Sequence, residues 1–206
     1  MHFILATTNQ GKVKEISTLF GESHKIETIA DIGFTTPIIE DGKTFEENAI
    51  IKAKAISAAM SEKIKNCHII ADDSGLMINA LDGEPGVNSA IWLGENTSYE
   101  IRNQKILELL AEKEAEKENE QQPRQAEFKT VIVCITPDGD LITAEGTLKG
   151  LISHEAKGTN GFGYDPVFLV PELGRTLAEL STEEKNRISH RAKAIQEIAQ
   201  KVGVIL

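Results

Sequence analysis

The 206-residue sequence contains few of the features that mark secreted or membrane-bound proteins. Its two cysteines, Cys67 and Cys134, are too few for a disulfide framework and lie too far from other ligand-type residues for a zinc motif. Both are interpreted as reduced core cysteines. No apolar run approaches the length of a membrane span or of a signal-peptide core. A cytoplasmic location is therefore the default expectation, and no membrane partner is expected.

Positive charge is also scarce, because 22 Lys and Arg residues face 32 Asp and Glu residues, a formal net charge of -10. Non-specific binding to nucleic acids depends on a broad positive field, so no nucleic-acid partner is expected. A small anionic substrate held in a local cationic pocket stays compatible with this charge. At this length one sizeable core can form, and a single domain over residues 1–206 is predicted.

The stretch that points most directly to chemistry is 68–78. The apolar run His68–Ala71 leads into Asp72 and Asp73, followed by Ser74 and Gly75. Adjacent carboxylates repel each other unless a cation or a proton shares the site, so the pattern predicts a metal-and-water site at the end of a strand. An ordinary acidic turn is the alternative, since Asp, Ser and Gly are common turn residues.

The N-terminal residues predict a strand, a polar turn and a helix. The apolar run 2–7 meets the polar segment 8–12, after which Val13, Ile16, Leu19 and Phe20 recur at helical spacing. A helix N-terminus offers free N–H groups and a positive dipole end that suit phosphate, and Lys12 adds a charge there. The glycine spacing of the nucleotide P-loop is missing. Asn9 as a plain helix cap is the alternative interpretation.

A second helix is predicted to start at a capping box formed by Thr44 and Glu47. Asn48 and Lys52 lie four residues apart and therefore one above the other on this helix, away from its apolar face. Glu40 precedes the cap, and it joins the acidic stretch if the helix packs beside that strand. A surface glutamate is the alternative.

The remaining elements are predicted from turn and capping signals. A strand is expected over 25–29, an irregular loop over 81–90, and a hairpin over 126–148 around the turn 137–140. A capping box from Thr97 to Glu100 is expected to start a helix that carries Ile106 and Leu110. The charge run 112–120 is interpreted as a solvated helix end or a mobile linker.

Two segments near the C-terminus are candidates for ligand binding. The glycine-rich loop 158–166 is typical of backbone that approaches a flat ligand, with Phe162 or Tyr164 available to stack; a glycine-rich surface loop is the alternative. A third capping box, 181–184, starts the last helical region. Within it Ser189 could cap a second segment, leaving a break that presents Lys185, His190 and Arg191 together. A solvated basic helix face is the alternative.

Four sequence blocks in order resemble the non-canonical purine nucleoside triphosphate pyrophosphatases, the inosine/xanthosine triphosphatase family. The blocks are Thr7–Lys12, Ala71–Leu76, Gly161–Pro166 and Ser189–Arg191, and the resemblance spans nearly the whole chain. It implies an α/β fold with a long, twisted mixed β-sheet and helices forming two lobes around a central cleft. It also implies hydrolysis of ITP, dITP or XTP to the monophosphate and pyrophosphate, a need for Mg2+ and a homodimer.

The resemblance also assigns roles to individual residues. Asp73 takes the position of the proton acceptor and, with Glu40, of a metal ligand, while Asp72 supports it and Lys52 neutralises phosphate charge. The triphosphate would be bound by Ser74 and by the segment Thr7, Thr8, Asn9, Gln10, Gly11 and Lys12. Phe162 would stack on the base, with Gly163, Tyr164 and Asp165 beside it. Donors to a 6-oxo purine would come from Lys185, His190 and Arg191.

One departure and two rival functions remain. Bacterial relatives commonly carry a tyrosine after the segment Pro85–Val87 and later an arginine–tyrosine pair, where this sequence has Asn88 and Ile91–Trp92. The role of that loop in a dimer interface or a substrate lid is therefore open. The rivals are a Maf-like pyrophosphatase acting on modified pyrimidine nucleotides and a non-catalytic nucleotide-binding sensor.

Overall fold

The computed structural model describes residues 1–60, 62, 64–116 and 124–206. This part of the chain contains seven strands and five α-helices. The strands are β1 (His2–Leu5), β2 (Lys25–Thr28), β3 (His68–Ile78), β4 (Gln125–Ile135), β5 (Leu141–Ile152), β6 (Phe168–Val170) and β7 (Arg175–Thr176). The helices are α1 (Gln10–Phe20), α2 (Phe45–Met60), α3 (Tyr99–Glu116), α4 (Thr182–Ile188) and α5 (His190–Lys201).

All seven strands belong to one mixed β-sheet with the order β2-β1-β3-β4-β5-β6-β7. Strand β1 runs parallel to both of its neighbours, and Phe3 lies in register with His68 of β3. At the other edge, β6 is antiparallel to β5 and to β7. The predicted α/β class, the mixed sheet and the hairpin of β4 and β5 are confirmed.

The chain divides into two compact units. The first contains residues 1–74, 130–146 and 189–206, and the second contains residues 75–129 and 147–188. The division falls within strands β3, β4 and β5. A single domain over residues 1–206 stays a prediction.

The first unit has two apolar cores because its central strands are buried on both faces. Phe3 and Leu5 of β1 pack with Ile16 and Phe20 of α1 and with the apolar face of α5. Ile4 of β1 and Ala6, which follows the strand, pack in the other core with Ala49, Ala53 and Ile56 of α2. The first unit is therefore layered, with helices on both faces of its strands.

The second unit has one core in which α3 and the short strands pack together. Ile106 and Leu110 of α3 lie in this core with Leu76, Ile78 and Phe168. No helix among the described residues is long and apolar enough to cross a membrane.

Capping explains where most of the helices begin. The boxes Thr44–Glu47 and Ser181–Glu184 form as predicted, with reciprocal hydrogen bonds between the side chains and the backbone. The box predicted from Thr97 is wrong, because Ser98 accepts the hydrogen bond from the N–H of Ile101 and the Thr97 hydroxyl donates to the carbonyl of Leu93 instead. The helix therefore begins one residue later than the pattern indicates.

Two further predictions concern helix ends. Ser189 accepts a hydrogen bond from the N–H of Ala192 and separates α4 from α5, as predicted. Beside this break, a Cβ added at Gly146 of β5 would lie 1.9 Å from the carbonyl oxygen of His190, so only glycine allows this approach of α5. Of the charge run 112–120, residues 112–116 belong to α3 and 117–120 lie outside the described residues.

Candidate active site

Asp72 and Asp73 lie inside β3, which continues to Ile78. The expectation that the strand ends at the acids is therefore wrong, and so is the alternative of an acidic turn. Ser74 and Gly75, which favour turns, remain part of the strand because β3 is an inner strand that pairs with a neighbour on each side. Regular backbone thus holds both carboxylates.

Asp72 is surrounded by positive charge. Its side chain is fully buried, and its Oδ2 lies 3.0 Å from Nζ of Lys12 and 3.3 Å from Nε of Arg191. The Ser74 hydroxyl also donates to this oxygen at 3.3 Å. Burial alone would raise the pKa of Asp72, but Lys12, Arg191 and Lys52 outweigh it and hold that pKa well below its ordinary value. Asp72 is therefore ionised at neutral pH.

Arg191 joins three elements of the first unit. Its guanidinium is buried, donates to Glu15 of α1 and to Asp72 of β3, and reaches the Ser74 hydroxyl at 2.8 Å. Glu15 lies one helical turn after Lys12, so α1 presents a carboxylate and an ammonium group to the same cluster. This arrangement fixes the guanidinium among the acids of the first unit.

Asp73 is held at both of its oxygens by residues of α2. Nζ of Lys52 donates to Oδ1 at 3.1 Å, and Nδ2 of Asn48 donates to Oδ2 at 3.3 Å. Lys52 also donates to Glu40 at 2.5 Å. Burial raises the pKa of Asp73 against the opposing effect of Lys52 and Lys12. The pKa of Lys52 is raised because Asp73, Asp72 and Glu40 outweigh its own burial.

The oxygen atoms of this cluster suit a hard divalent cation. Glu40 and Asp73 converge on one ammonium group, and the Glu40 side chain is 41% exposed. Oδ1 of Asp72 is buried and has no hydrogen-bond partner within the described ranges. In those ranges no group of three His, Cys, Asp or Glu side chains could hold a metal by itself. Two carboxylates fit Mg2+, which keeps water or phosphate oxygens as its other ligands.

The segment 7–12 lies at the start of α1. The Thr7 hydroxyl accepts from the N–H of Asn9, and the Asn9 side chain accepts from the N–H of Lys12 at 3.2 Å. Asn9 therefore caps the helix, while Thr8 and Gln10 are exposed and Gly11 is half-buried. The cap and a phosphate-binding role are compatible, since the cap uses one of the free N–H groups at this helix end.

A second cluster belongs to the second unit and centres on Asp165. Oδ2 of Asp165 accepts from the N–H of Phe162 at 2.8 Å and from Nζ of Lys185 at 2.5 Å. The same Nζ lies 5.0 Å from the centre of the Phe162 ring. Gly161 has a φ of +73°, and a Cβ there would lie 2.0 Å from Oδ2 of Asp165. The loop is therefore folded tightly around one carboxylate.

Side chains of the second unit support the rest of this loop. Tyr164 is buried and its hydroxyl donates to the carbonyl of Ser89 at 2.8 Å, while Asn103 of α3 donates to the carbonyl of Gly163 at 3.1 Å. Tyr99 packs edge-on against the Tyr164 ring, with the ring centres 5.1 Å apart. Phe162 itself is only partly buried.

The predicted site residues thus fall into two clusters. The first unit holds Lys12, Glu40, Lys52, Asp72, Asp73, Ser74 and Arg191, and the second holds Phe162, Gly163, Tyr164, Asp165 and Lys185. His190 is buried at the start of α5 in the first unit. The expected basic group at the helix break is divided between the units, since Lys185 binds Asp165 whereas Arg191 binds Glu15 and Asp72.

Two polar residues of the first cluster have no predicted role in the site. Asn48 and Glu15 are both buried and both bind a predicted site residue. Helical spacing is the signal that could have found them, since Asn48 precedes Lys52 by four residues and Glu15 follows Lys12 by three. Spacing alone gave them no partner, because each partner is supplied by another element.

Comparison with known proteins decides the family. A sequence profile of the Ham1 family matches residues 3–201. The chain belongs to this family. A dITP/XTP pyrophosphatase of Caldanaerobacter subterraneus subsp. tengcongensis is 44% identical over 201 residues, covering 97% of this chain and 95% of the relative. One of Bacillus subtilis is 41% identical over 198 residues, covering 96% and 94%.

Solved Ham1 structures have the same fold. The Ham1 protein of Staphylococcus aureus has a TM-score of 0.80 and 38% identity, with 98% of each chain covered. A HAM1 protein of Coxiella burnetii has a TM-score of 0.81 and 37% identity, again with 98% of each chain covered. The resemblance found in the sequence is therefore confirmed at the level of the family.

Proposed function

We propose that this protein hydrolyses the non-canonical purine nucleoside triphosphates dITP, ITP and XTP to the monophosphate and pyrophosphate, and so clears them from the nucleotide pool. The observation that carries the proposal is the buried cluster around Asp72 and Asp73 in a member of the Ham1 family. Curated relatives that match nearly the whole chain are named dITP/XTP pyrophosphatases, which supports the substrate class.

Asp73 is the general base in this proposal. Its carboxylate takes a proton from a water molecule, whose oxygen bonds to phosphorus while the bridging bond between the α- and β-phosphates breaks and pyrophosphate leaves. A base works best when its pKa lies near the working pH, and burial moves the pKa of Asp73 upward in that direction. Asp72 stays ionised and holds Lys12 and Arg191 in place beside the base.

The cations of the first cluster stabilise the triphosphate. Lys12 and Lys52 neutralise charge that develops on the phosphate oxygens. Burial lowers the pKa of Lys12 despite the nearby Asp72 carboxylate, so a phosphate placed beside it would favour its charged form. Hydrogen-bond donors to the triphosphate come from the Ser74 hydroxyl and from the segment Thr7, Thr8, Asn9, Gln10 and Gly11.

Magnesium is the proposed cofactor, held by Glu40 and Asp73. When bound, it would neutralise phosphate charge and orient the scissile group. Both carboxylates contact Lys52, so its ammonium group lies in the negative field in which a cation would bind. Nζ of Lys52 would then be free to turn toward phosphate.

The second cluster recognises the base. Phe162 stacks on the purine, and Gly163, Tyr164 and Asp165 form the wall beside it. Lys185 is a donor suited to a 6-oxo group, and His190 and Arg191 of the first unit are proposed as further donors. Adenine presents an amino donor at that edge, so donors left unpaired would cost about 1–3 kcal/mol each. Rejection of GTP requires a contact at position 2 of the base.

A homodimer is the proposed assembly. Ile91, Leu93 and Ile101 of the second unit are each about half exposed, which supports a contact surface in this part of the chain. Sedimentation equilibrium of the purified protein tests this point. A monomer at micromolar concentration would contradict it.

Identification of the products tests the proposed reaction. Purified protein is mixed with dITP or XTP and Mg2+, and the products are separated by ion-exchange chromatography. We expect the monophosphate and pyrophosphate in equal amounts, and none after EDTA is added. Release of orthophosphate with a nucleoside diphosphate would contradict cleavage between the α- and β-phosphates, and binding without turnover would favour a sensor. A preference for modified pyrimidine nucleotides would favour the hypothesis of a Maf-like pyrophosphatase.

A further inference from the structure

Asn48 lies at the centre of the first cluster and has no role in the reaction proposed above. It is in the first turn of α2, its side chain is buried, and its residue exposure is 5%. A buried amide must satisfy both of its ends with hydrogen bonds. The hydrogen-bond partners of the Asn48 amide therefore indicate which groups this side chain positions.

The two ends of the Asn48 amide bind two different parts of the cluster. Nδ2 donates to Oδ2 of Asp73 at 3.3 Å. Oδ1 accepts from the backbone N–H of Gly42 at 2.8 Å, in the loop that carries Glu40 two residues earlier. One side chain is thus bonded to the predicted base and to the loop of the other predicted metal ligand.

The contact with Asn48 is possible because Gly42 has no side chain. A Cβ added at Gly42 would lie 2.6 Å from Oδ1 of Asn48 and 2.7 Å from Cβ of Glu47. Any side chain at position 42 would therefore push the loop away from the amide. The close approach of this loop to α2 therefore depends on both Gly42 and Asn48.

Asn48 and Lys52 share the Asp73 carboxylate, but they are not equivalent. Lys52 is a cation that also binds Glu40, and in the proposed reaction phosphate or a metal ion would compete for both of its contacts. Asn48 is neutral, and its other end is tied to the backbone of Gly42. When Lys52 turns away, the amide remains as a fixed donor to Asp73.

We propose that Asn48 is a positioning residue that aligns the Asp73 carboxylate with the Glu40 loop and so sets the geometry of the metal and the attacking water. This inference rests on the proposed function, because it concerns the base and the metal ligands of that reaction. It predicts that Asn48 affects the chemical step and metal binding while leaving nucleotide binding nearly unchanged.

The test compares Asn48→Leu with Thr44→Ala. Leucine has the same number and branching of side-chain heavy atoms and removes both hydrogen bonds. Thr44→Ala is the matched control, because it removes the cap of the same helix at the N–H of Glu47 and touches neither Asp73 nor Gly42. The readouts are kcat and KM for dITP, the melting temperature, and Mn2+ binding to the nucleotide-free protein by electron paramagnetic resonance.

We expect Asn48→Leu to lower kcat and the Mn2+ affinity by about 10- to 100-fold, with KM changed by less than about threefold, as for other residues that orient metal ligands. Thr44→Ala should lower the melting temperature and leave kcat and the Mn2+ affinity near wild type. Wild-type kcat and Mn2+ affinity in Asn48→Leu would overturn the inference.

Gly42→Ala keeps the inference testable if Asn48→Leu does not fold. It should weaken Mn2+ binding while the melting temperature falls no further than in Thr44→Ala, and unchanged Mn2+ binding would overturn the link to the Glu40 loop. Failure of wild-type protein to hydrolyse dITP would instead count against the proposed function. The two failures are therefore distinguishable.

Discussion

The two clusters use charge in different ways. In the first unit, Lys12, Lys52 and Arg191 face Glu15, Glu40, Asp72 and Asp73, all carried by helices, a strand and the loop before α2. In the second unit, one buried pair, Lys185 and Asp165, lies beneath an aromatic ring on a turn-rich loop. A dense field of opposite charges suits a polyanion and a cation, whereas one donor beside a ring suits a flat, nearly neutral base.

The two clusters also differ in the backbone that carries them. Apart from Glu40, the first cluster is held by helices and a strand at fixed distances, which transfer of a proton and phosphate requires. The loop of the second cluster contains Gly161 and Gly163 at φ of +73° and +69°, and this backbone comes close to Asp165 and Tyr99. We therefore expect changes in the first cluster to alter kcat for every substrate, and changes in the second to alter KM and base selectivity.

The largest effect is expected from Asp73→Asn. The amide is nearly isosteric, so the fold should persist, but it cannot accept a proton. We expect kcat for dITP to fall by about 10²- to 10⁴-fold, the usual contribution of a general base. Stopped assays of pyrophosphate release measure this, with circular dichroism as the control for folding. Retained turnover would remove Asp73 from the mechanism.

The next largest effect concerns stability. Asp72→Asn leaves Lys12 and Arg191 buried without their shared carboxylate, so the free energy of unfolding at pH 7 should fall by about 3–5 kcal/mol. Urea titrations followed by circular dichroism measure it. A loss below about 1 kcal/mol would show that other groups compensate these charges.

The pH dependence of this loss follows from the lowered pKa of Asp72. A carboxylate with a lowered folded-state pKa contributes stability above its unfolded value of about 3.9, and this contribution disappears as the pH falls through the folded value. The difference between wild type and Asp72→Asn should therefore shrink as the pH drops below about 4. A difference that stays constant down to acid unfolding would contradict the assignment.

A smaller effect is expected from Phe162→Ala in the second cluster. Loss of a stacked base costs about 1–3 kcal/mol, so KM for dITP should rise by about tenfold or more while kcat changes little. Phe162→Tyr keeps the ring and is the matched control. If Phe162→Ala instead lowers kcat at unchanged KM, the division of roles between the clusters is wrong.

The smallest effect is expected from Glu15→Gln. The amide keeps a hydrogen bond to Arg191 but loses the charge, so the free energy of unfolding should fall by about 1 kcal/mol. Equilibrium unfolding measures the change. An increase in stability would show that the Arg191 guanidinium is satisfied by Asp72 and Ser74 alone.

Local signals in the sequence predict local structure well. The capping boxes at Thr44 and Ser181 and the cap at Ser189 form as predicted, because each partner lies within one helical turn. The same signal fails at Thr97, since two neighbouring hydroxyls compete for one cap and Thr97 finds a carbonyl instead. The end of β3 is mispredicted because Asp, Ser and Gly favour turns unless neighbouring strands pair with them.

Long-range partners are what the sequence cannot supply. Arg191 and Asp72 are 119 positions apart, and no spacing rule links a helix start to a strand interior. The site residues of the cluster are predicted because the family resemblance carries them, whereas the places of Asn48 and Glu15 in the site are shown only by their contacts. The division into two units is similarly hidden, because it passes through three strands rather than through a linker.

A substrate panel tests the central claim most directly. Initial rates of pyrophosphate release are measured with Mg2+ for dITP, XTP, dATP and dGTP at one subsaturating concentration. We predict rates for dITP and XTP that exceed those for dATP and dGTP by at least about 10²-fold. Adenine leaves the donors for a 6-oxo group unpaired, whereas guanine, which has that group, is rejected through its 2-amino group. Comparable rates for all four nucleotides would contradict the proposed function.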